Sequence, residues 1–195
     1  MQSNVNQEVN DDEETETVKK PQEIDPFFID EELLQSEQDK LTDEEKEQKL
    51  AESQNLKQLG NDEFKNEDYQ KALDLYTQAL RVCPLKYQKE RSVFYSNRSA
   101  CYFKLKENEK CVKECSKSIE LDPSFVKPLL RRAECNVIID KLDEALEDYK
   151  KLSELEPRNM SHTHKCYVSR FYSILKKFYS DFKLYFITIG IGTKN

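Results

Sequence analysis

The side chains that could do chemistry in this sequence are few, beginning with six cysteines and two histidines. Cys111 and Cys115 stand four residues apart, so on a helix both thiols would share one face and could reach a common soft metal. Small, adaptable thiols also suit a packed interior, and packing is the reading that their positions favour. His162, His164 and Cys166 form an HxHxC string, but a structural zinc site closes with four ligands and no fourth stands nearby. With both histidines confined to that string, no Ser–His–Asp or Cys–His set can be assembled. There are three glycines and no Gly-rich phosphate loop or nucleophile elbow. The chain is therefore expected not to be an enzyme, and its residues call for no cofactor and no metal.

Charge points instead to binding. Of the net charge of −7, residues 1–55 contribute −13, with 18 acidic and 5 basic side chains. Residues 56–159 are close to neutral, and residues 160–195 are basic. The acidity thus belongs to an N-terminal arm. A globally acidic chain is a poor partner for nucleic acid. The first residues lack an apolar core with a basic lead, so they do not read as a secretory signal. The longest strongly apolar stretch, Leu184–Ile191, is far short of the roughly 20 residues that a membrane helix requires. These features predict a cytoplasmic chain with reduced cysteines, no membrane span and a monomeric state.

Residues 1–24 are polar and acidic and cannot bury enough surface to offset their ordering entropy, which predicts disorder. The segment DPFFIDEELL, residues 25–34, breaks this pattern. It is either a docking motif or a strap over the folded domain, with the strap the favoured reading. Thr42-Asp43-Glu44-Glu45 fits a capping box and predicts a helix start there. No breaker follows before Gly60, so that helix should run straight into the domain that follows.

The positioning elements emerge from a repeat. Segments of 34 residues starting at Ser53, Ser92 and Val126 align so that Gly60, Ser99 and Ala133 share one register position. Ala72, Cys111 and Ala145 share another, and Pro84, Pro123 and Pro157 a third. Small residues allow two antiparallel helices to approach closely, aromatic positions such as Tyr76 and Tyr149 fill the wedge between units, and each proline ends a second helix. This period and pattern define the tetratricopeptide repeat. The predicted fold is all-α: three repeats, about 53–86, 92–125 and 126–159, in a right-handed superhelix spanning 42–159. An arm (1–41) precedes it and a divergent helix or tail (160–195) follows. Five extra residues, around Leu85–Arg91, separate the first two repeats.

The stretches LTDEEKEQK, KQLGNDEFKNEDYQKAL, CPLKYQKERSVFYSNRSACY, LLRRAE and DKLDEALEDYK resemble the tetratricopeptide repeat protein 1 group of small co-chaperone-like adaptors, over about residues 39–159. The resemblance implies a carboxylate clamp for the acidic EEVD-type C-terminal peptides of Hsp70 and Hsp90 chaperones. Matched position by position, the clamp residues are Lys57, Asn61, Asn97, Lys127 and Arg131, with Ala100 and Phe103 as a possible apolar lining. Lys57/Asn61 and Lys127/Arg131 are each four apart, so each pair shares a helix face. Stacked first helices would then present three cations and two amides to a carboxylate. Pro128 disfavours helical dihedrals at Lys127, and a delayed helix start would displace that side chain.

The tail departs from the group, which continues with a charged helix. Here Tyr167, Phe171, Ile174, Phe178 and Phe182 form an apolar stripe expected to cap the third repeat, and the abrupt aromatic enrichment suggests a divergent or alternatively spliced end. The leading expectation is an adaptor that binds chaperone C-termini. The alternatives are a scaffold that meets a signalling protein by another surface, and a truncated product without chaperone binding.

Overall fold

The computed structural model describes residues 26–188; residues 1–25 and 189–195 lie outside it, as do the side chains of Phe171, Tyr172, Leu175 and residues 178–188. The disorder expected of residues 1–24 and the end of the apolar run Leu184–Ile191 therefore fall beyond the described residues. Among those residues there are eight helices and no strand: α1 (Glu31–Gln38), α2 (Asp43–Lys65), α3 (Tyr69–Val82), α4 (Gln88–Lys104), α5 (Asn108–Leu121), α6 (Val126–Ile138), α7 (Leu142–Leu155) and α8 (Met160–Thr188). None is long and apolar enough to cross a membrane.

Helix α2 starts where the capping box requires. The Glu45 backbone N–H donates to Thr42 Oγ1, and the Thr42 N–H donates back to the Glu45 carboxylate at 2.8 Å. The helix runs unbroken through Gly60, so the first helix of repeat one is longer at its N-terminus than the 34-residue register implies. Each repeat turns between its helices through a Schellman motif. Asp68, Glu107 and Lys141 each donate a backbone N–H to the carbonyl five residues back. The residue before each donor (Glu67, Lys106, Asp140) has a φ of 65°, 63° or 64°, the left-handed region usually left to glycine. The three second helices stop at Val82, Leu121 and Leu155, two residues before Pro84, Pro123 and Pro157.

The small register positions are where neighbouring helices touch. Ala72, Ser99, Cys111, Ala133 and Ala145 are wholly buried, with Tyr76, Cys115, Tyr149, Leu129 and Leu152 filling the space around them. At about 25 cal/mol per Å² of apolar surface, each fully buried leucine contributes roughly 1.5–3 kcal/mol. The pairs stack in order, and α4 also packs directly on α6. The first helices therefore line the inner, concave face and the second helices the outer one.

Helix α8 packs on α7. Tyr167 and Ile174 are exposed, and the other three stripe side chains are outside the description. The face turned inward carries His162 and Ser169, both buried, with Cys166 against the core. Lys165 pairs with Glu134 at 2.7 Å, Ser173 donates to Asp143 at 2.5 Å, and Lys176 pairs with Asp140. Acidic partners on α6 and α7 and in the turn between them thus hold polar side chains of α8.

The arm's described end is folded. Residues 26–30 turn at Pro26–Phe27 and run over α3, α4 and α5 into α1, with Asp30 as its N-cap, so the described part of DPFFIDEELL is a strap over the domain.

Candidate functional site

The five residues matched to a clamp occupy the first helices of the three repeats: Lys57 and Asn61 on α2, Asn97 on α4, and Lys127 and Arg131 on α6. Asn61 and Asn97 meet, the Asn97 amide donating to Asn61 Oδ1 at 3.4 Å. The same oxygen accepts the Tyr76 hydroxyl at 2.8 Å. With Oδ1 occupied by two donors, Asn61 presents only N–H groups to the groove. Tyr76 is buried, and burial raises its phenol above the ordinary value, so it stays a neutral donor.

Arg131 is half-buried and held by neutral groups of the neighbouring repeat. Its Nη1 donates to the Ser96 carbonyl at 2.9 Å and to Ser99 Oγ at 2.8 Å. Nη2 and Nε remain as donors, and no described carboxylate forms an ion pair with it. Two further arginines of the repeat core, Arg98 and Arg132, differ. Arg98 pairs with Glu114 at 3.1 Å, and Arg132 is bidentate to Asp148 at 2.7 and 2.9 Å. Asp148 holds the Arg132 guanidinium still more firmly protonated. Those pairs neutralise the outer side of the stack, whereas Arg131 leaves the inner side with an uncompensated cation.

Lys57 is half-buried and Lys127 exposed, and neither is bonded to any described residue. Helix α6 begins at Val126, so Lys127 is its second and Pro128 its third residue. The first four N–H groups of a helix have no intrahelical acceptor, so Pro128 forfeits no hydrogen bond, and Lys127 keeps its place in the first turn. Of the apolar lining, Ala100 is half-buried. Phe103 is half-buried and packs on the core around Tyr102 and Leu129.

Residue matching missed the supports, Tyr76, Ser96 and Ser99. Tyr76 and Ser99 were visible only as packing positions of the repeat. Ser96 acts through its backbone carbonyl, which no side-chain pattern can reveal.

The other candidates resolve differently. Cys111 and Cys115 are fully buried, and the Cys135 thiol donates to Cys111 Sγ at 3.0 Å. Burial pushes the Cys83 and Cys101 thiols up to about 11 and 12, which keeps them protonated and inert. His162 faces inward beside Asn159 and Glu156 while His164 faces solvent, so the HxHxC string does not converge. Among the described residues, no three His, Cys, Asp or Glu side chains are grouped to hold a metal.

Comparison with known proteins agrees with the repeat fold. The model of the tetratricopeptide repeat matches residues 93–125. The chain is 36% identical over 107 residues to the mitochondrial import receptor subunit TOM70 of Rattus norvegicus, covering 55% of this chain and 18% of the relative. It is 32% identical over 137 residues to FK506-binding protein 59 of Drosophila melanogaster, covering 67% of this chain and 30% of the relative. The chain thus spans less than a third of the length of these two relatives. Among solved structures, the first repeat domain of Spaghetti (RPAP3), bound to the HSP90 peptide SRMEEVD, superposes with a TM-score of 0.56 at 30% identity, over 63% of this chain and 93% of that one. With the repeat register, the superhelix and this likeness in agreement, the chain belongs to the tetratricopeptide repeat proteins.

Proposed function

We propose that the chain is an adaptor whose concave groove binds the acidic C-terminal peptides of Hsp70 and Hsp90 chaperones, and that within its family it sits with the tetratricopeptide repeat protein 1 group. The observation that carries this reading is the continuity of Asn61, Asn97 and Arg131 across three repeats, with the charge of Arg131 unpaired. An EEVD-type C-terminus brings a main-chain carboxylate and acidic side chains. Two amides and the Arg131 guanidinium can receive the carboxylate, while Lys57 and Lys127 at the two ends of the row meet the acidic side chains. Charge-assisted hydrogen bonds of about 1.5–3 kcal/mol each, less the cost of ordering a short peptide, give roughly micromolar affinity. The solved relative that holds SRMEEVD supports the same ligand class.

The test is fluorescence anisotropy with a labelled peptide ending in EEVD and its C-terminally amidated twin. Binding should fall at least tenfold on amidation, and likewise with Asn61→Ala or Arg131→Ala. A folded protein that binds both peptides equally, or neither, overturns the clamp.

A further inference from the structure

On the outer face, the strap does not merely lie on the domain; it is gripped. Arg81 Nη2 donates to the carbonyls of Pro26 and Phe28 at 2.7 and 3.2 Å, and Arg98 Nη2 donates to that of Phe27 at 2.9 Å. The Phe27 ring meets Tyr102 edge to face at 6.4 Å. Glu31 accepts from Arg91 at 3.3 Å and from the Tyr95 hydroxyl at 3.0 Å. Three arginines read backbone and carboxylate oxygens, Tyr102 meets the aromatic anchor and Tyr95 holds the carboxylate, which is how a groove recognises a peptide. The strap is also loosely covered: Phe28 is 61% and Leu33 55% exposed. A cavity of about 440 Å³ continues the groove along α5 past Lys113 and Lys117.

The matching positions of the next repeat carry different side chains. One period on, Arg98 and Glu114 become Arg132 and Asp148, a pair of the same bidentate form whose guanidinium also engages Ser116 instead of a strap carbonyl. Tyr95 and Tyr102 become Leu129 and Asn136, which have no comparable polar reach or ring. Arg91 becomes Phe125, the residue that caps α6. The five extra residues between repeats one and two extend α4 backward to Gln88, and this extension supplies Arg91. Arg91 is 1% exposed, anchored on the carbonyls of Leu80 and Cys83 at 2.8 and 3.0 Å, with its remaining donor aimed at the strap. The insertion thus installs a buried cation where the strap carries its carboxylate.

We propose that the groove between α3 and α5 is a second peptide-binding site, on the face opposite the clamp. It is specific for a segment in which paired aromatics precede an aliphatic residue and a carboxylate, as in Phe27-Phe28-Ile29-Asp30-Glu31. This chain's own strap occupies it in cis, and a partner protein presenting the same pattern takes its place.

The test uses a labelled peptide of residues 24–38, amidated so that no terminal carboxylate can engage the clamp. The full chain carrying Phe27→Ala and Glu31→Ala should bind it at least tenfold more tightly than the native chain, whose groove is filled. A peptide with the same two substitutions should not bind, and Arg131→Ala should leave the result unchanged, which separates this site from the clamp. A double variant that melts cooperatively yet fails to bind, or binds both peptides alike, overturns the proposal. If the variant does not fold, hydrogen exchange on the native chain decides. Saturating peptide should speed exchange of residues 26–38, and unchanged protection overturns the exchange.

Discussion

The contact between Gly60 and Tyr76 ties the core to the candidate clamp. A Cβ built on Gly60 would lie 2.7 Å from Tyr76 Cε1 and 2.9 Å from Cδ1. The ring cannot swing aside freely, because its hydroxyl is bonded to Asn61 and its body is buried. Alanine is the better helix former, by about 1 kcal/mol, but here overpacking dominates. Gly60→Ala should therefore destabilise the protein by about 1–3 kcal/mol in urea or thermal melts, and it should weaken EEVD-peptide binding by disturbing Asn61. An unchanged melting temperature would mean that the ring yields without cost. Arg131 makes the complementary point: its i,i+4 partner Lys127 was readable from spacing, while the Ser96 carbonyl that orients it was not.

Elements were legible wherever a side chain carries the signal. The Thr42–Glu45 box, the small-residue registers and the three prolines each have a local steric or hydrogen-bonding cause, and the helices follow them. The intra-repeat turns had no such marker, since Glu67, Lys106 and Asp140 hold left-handed conformations without being glycine. A non-glycine residue costs roughly 1–2 kcal/mol there, and glycine returns part of that gain through the entropy of the unfolded chain. Lys106 is exposed, so Lys106→Gly should stabilise the protein by about 0.5–1 kcal/mol, seen as a higher urea midpoint. A midpoint that stays put or falls would show that the turn carries no strain. Helix α8 adds polar contacts that its apolar stripe did not announce. Periodicity reports which residues share a face, whereas the pairing of Lys165, Ser173 and Lys176 with acidic groups on α6, on α7 and in their connecting turn depends on the tertiary structure.

For the molecule as a whole, buried ionisable groups set an alkaline limit. Burial raises the phenols of Tyr76 and Tyr95, lifts Tyr149 to about 12, and lifts Cys83 and Cys101 to about 11 and 12. Each group holds its proton more tightly folded than unfolded, so its contribution is complete below its unfolded value and is lost as pH rises through the folded one. Denaturant melts should thus show stability starting to decline near pH 9, where unfolded thiols ionise, and falling faster above 10. A flat profile to pH 11 would contradict the burial of these side chains. The two candidate binding faces also belong to this scale. The clamp residues lie on helices that curve inward together, and the strap groove spans two outer helices, so neither site exists within a single repeat.

The sequence by itself determined the repeat, its helices and the register that lines up five candidate clamp residues, because each depends on local sterics, capping and a fixed period. It left open whether DPFFIDEELL docks elsewhere or straps the domain, and it offered no purpose for the five residues between the first two repeats. Only the tertiary structure decided these. Arg91, Arg98 and Arg81 come from different turns of α3 and α4, and their shared target lies more than 50 residues away in the chain. Long-range convergence of this kind depends on the curvature of the stack. It leaves no period in the sequence from which it could be read.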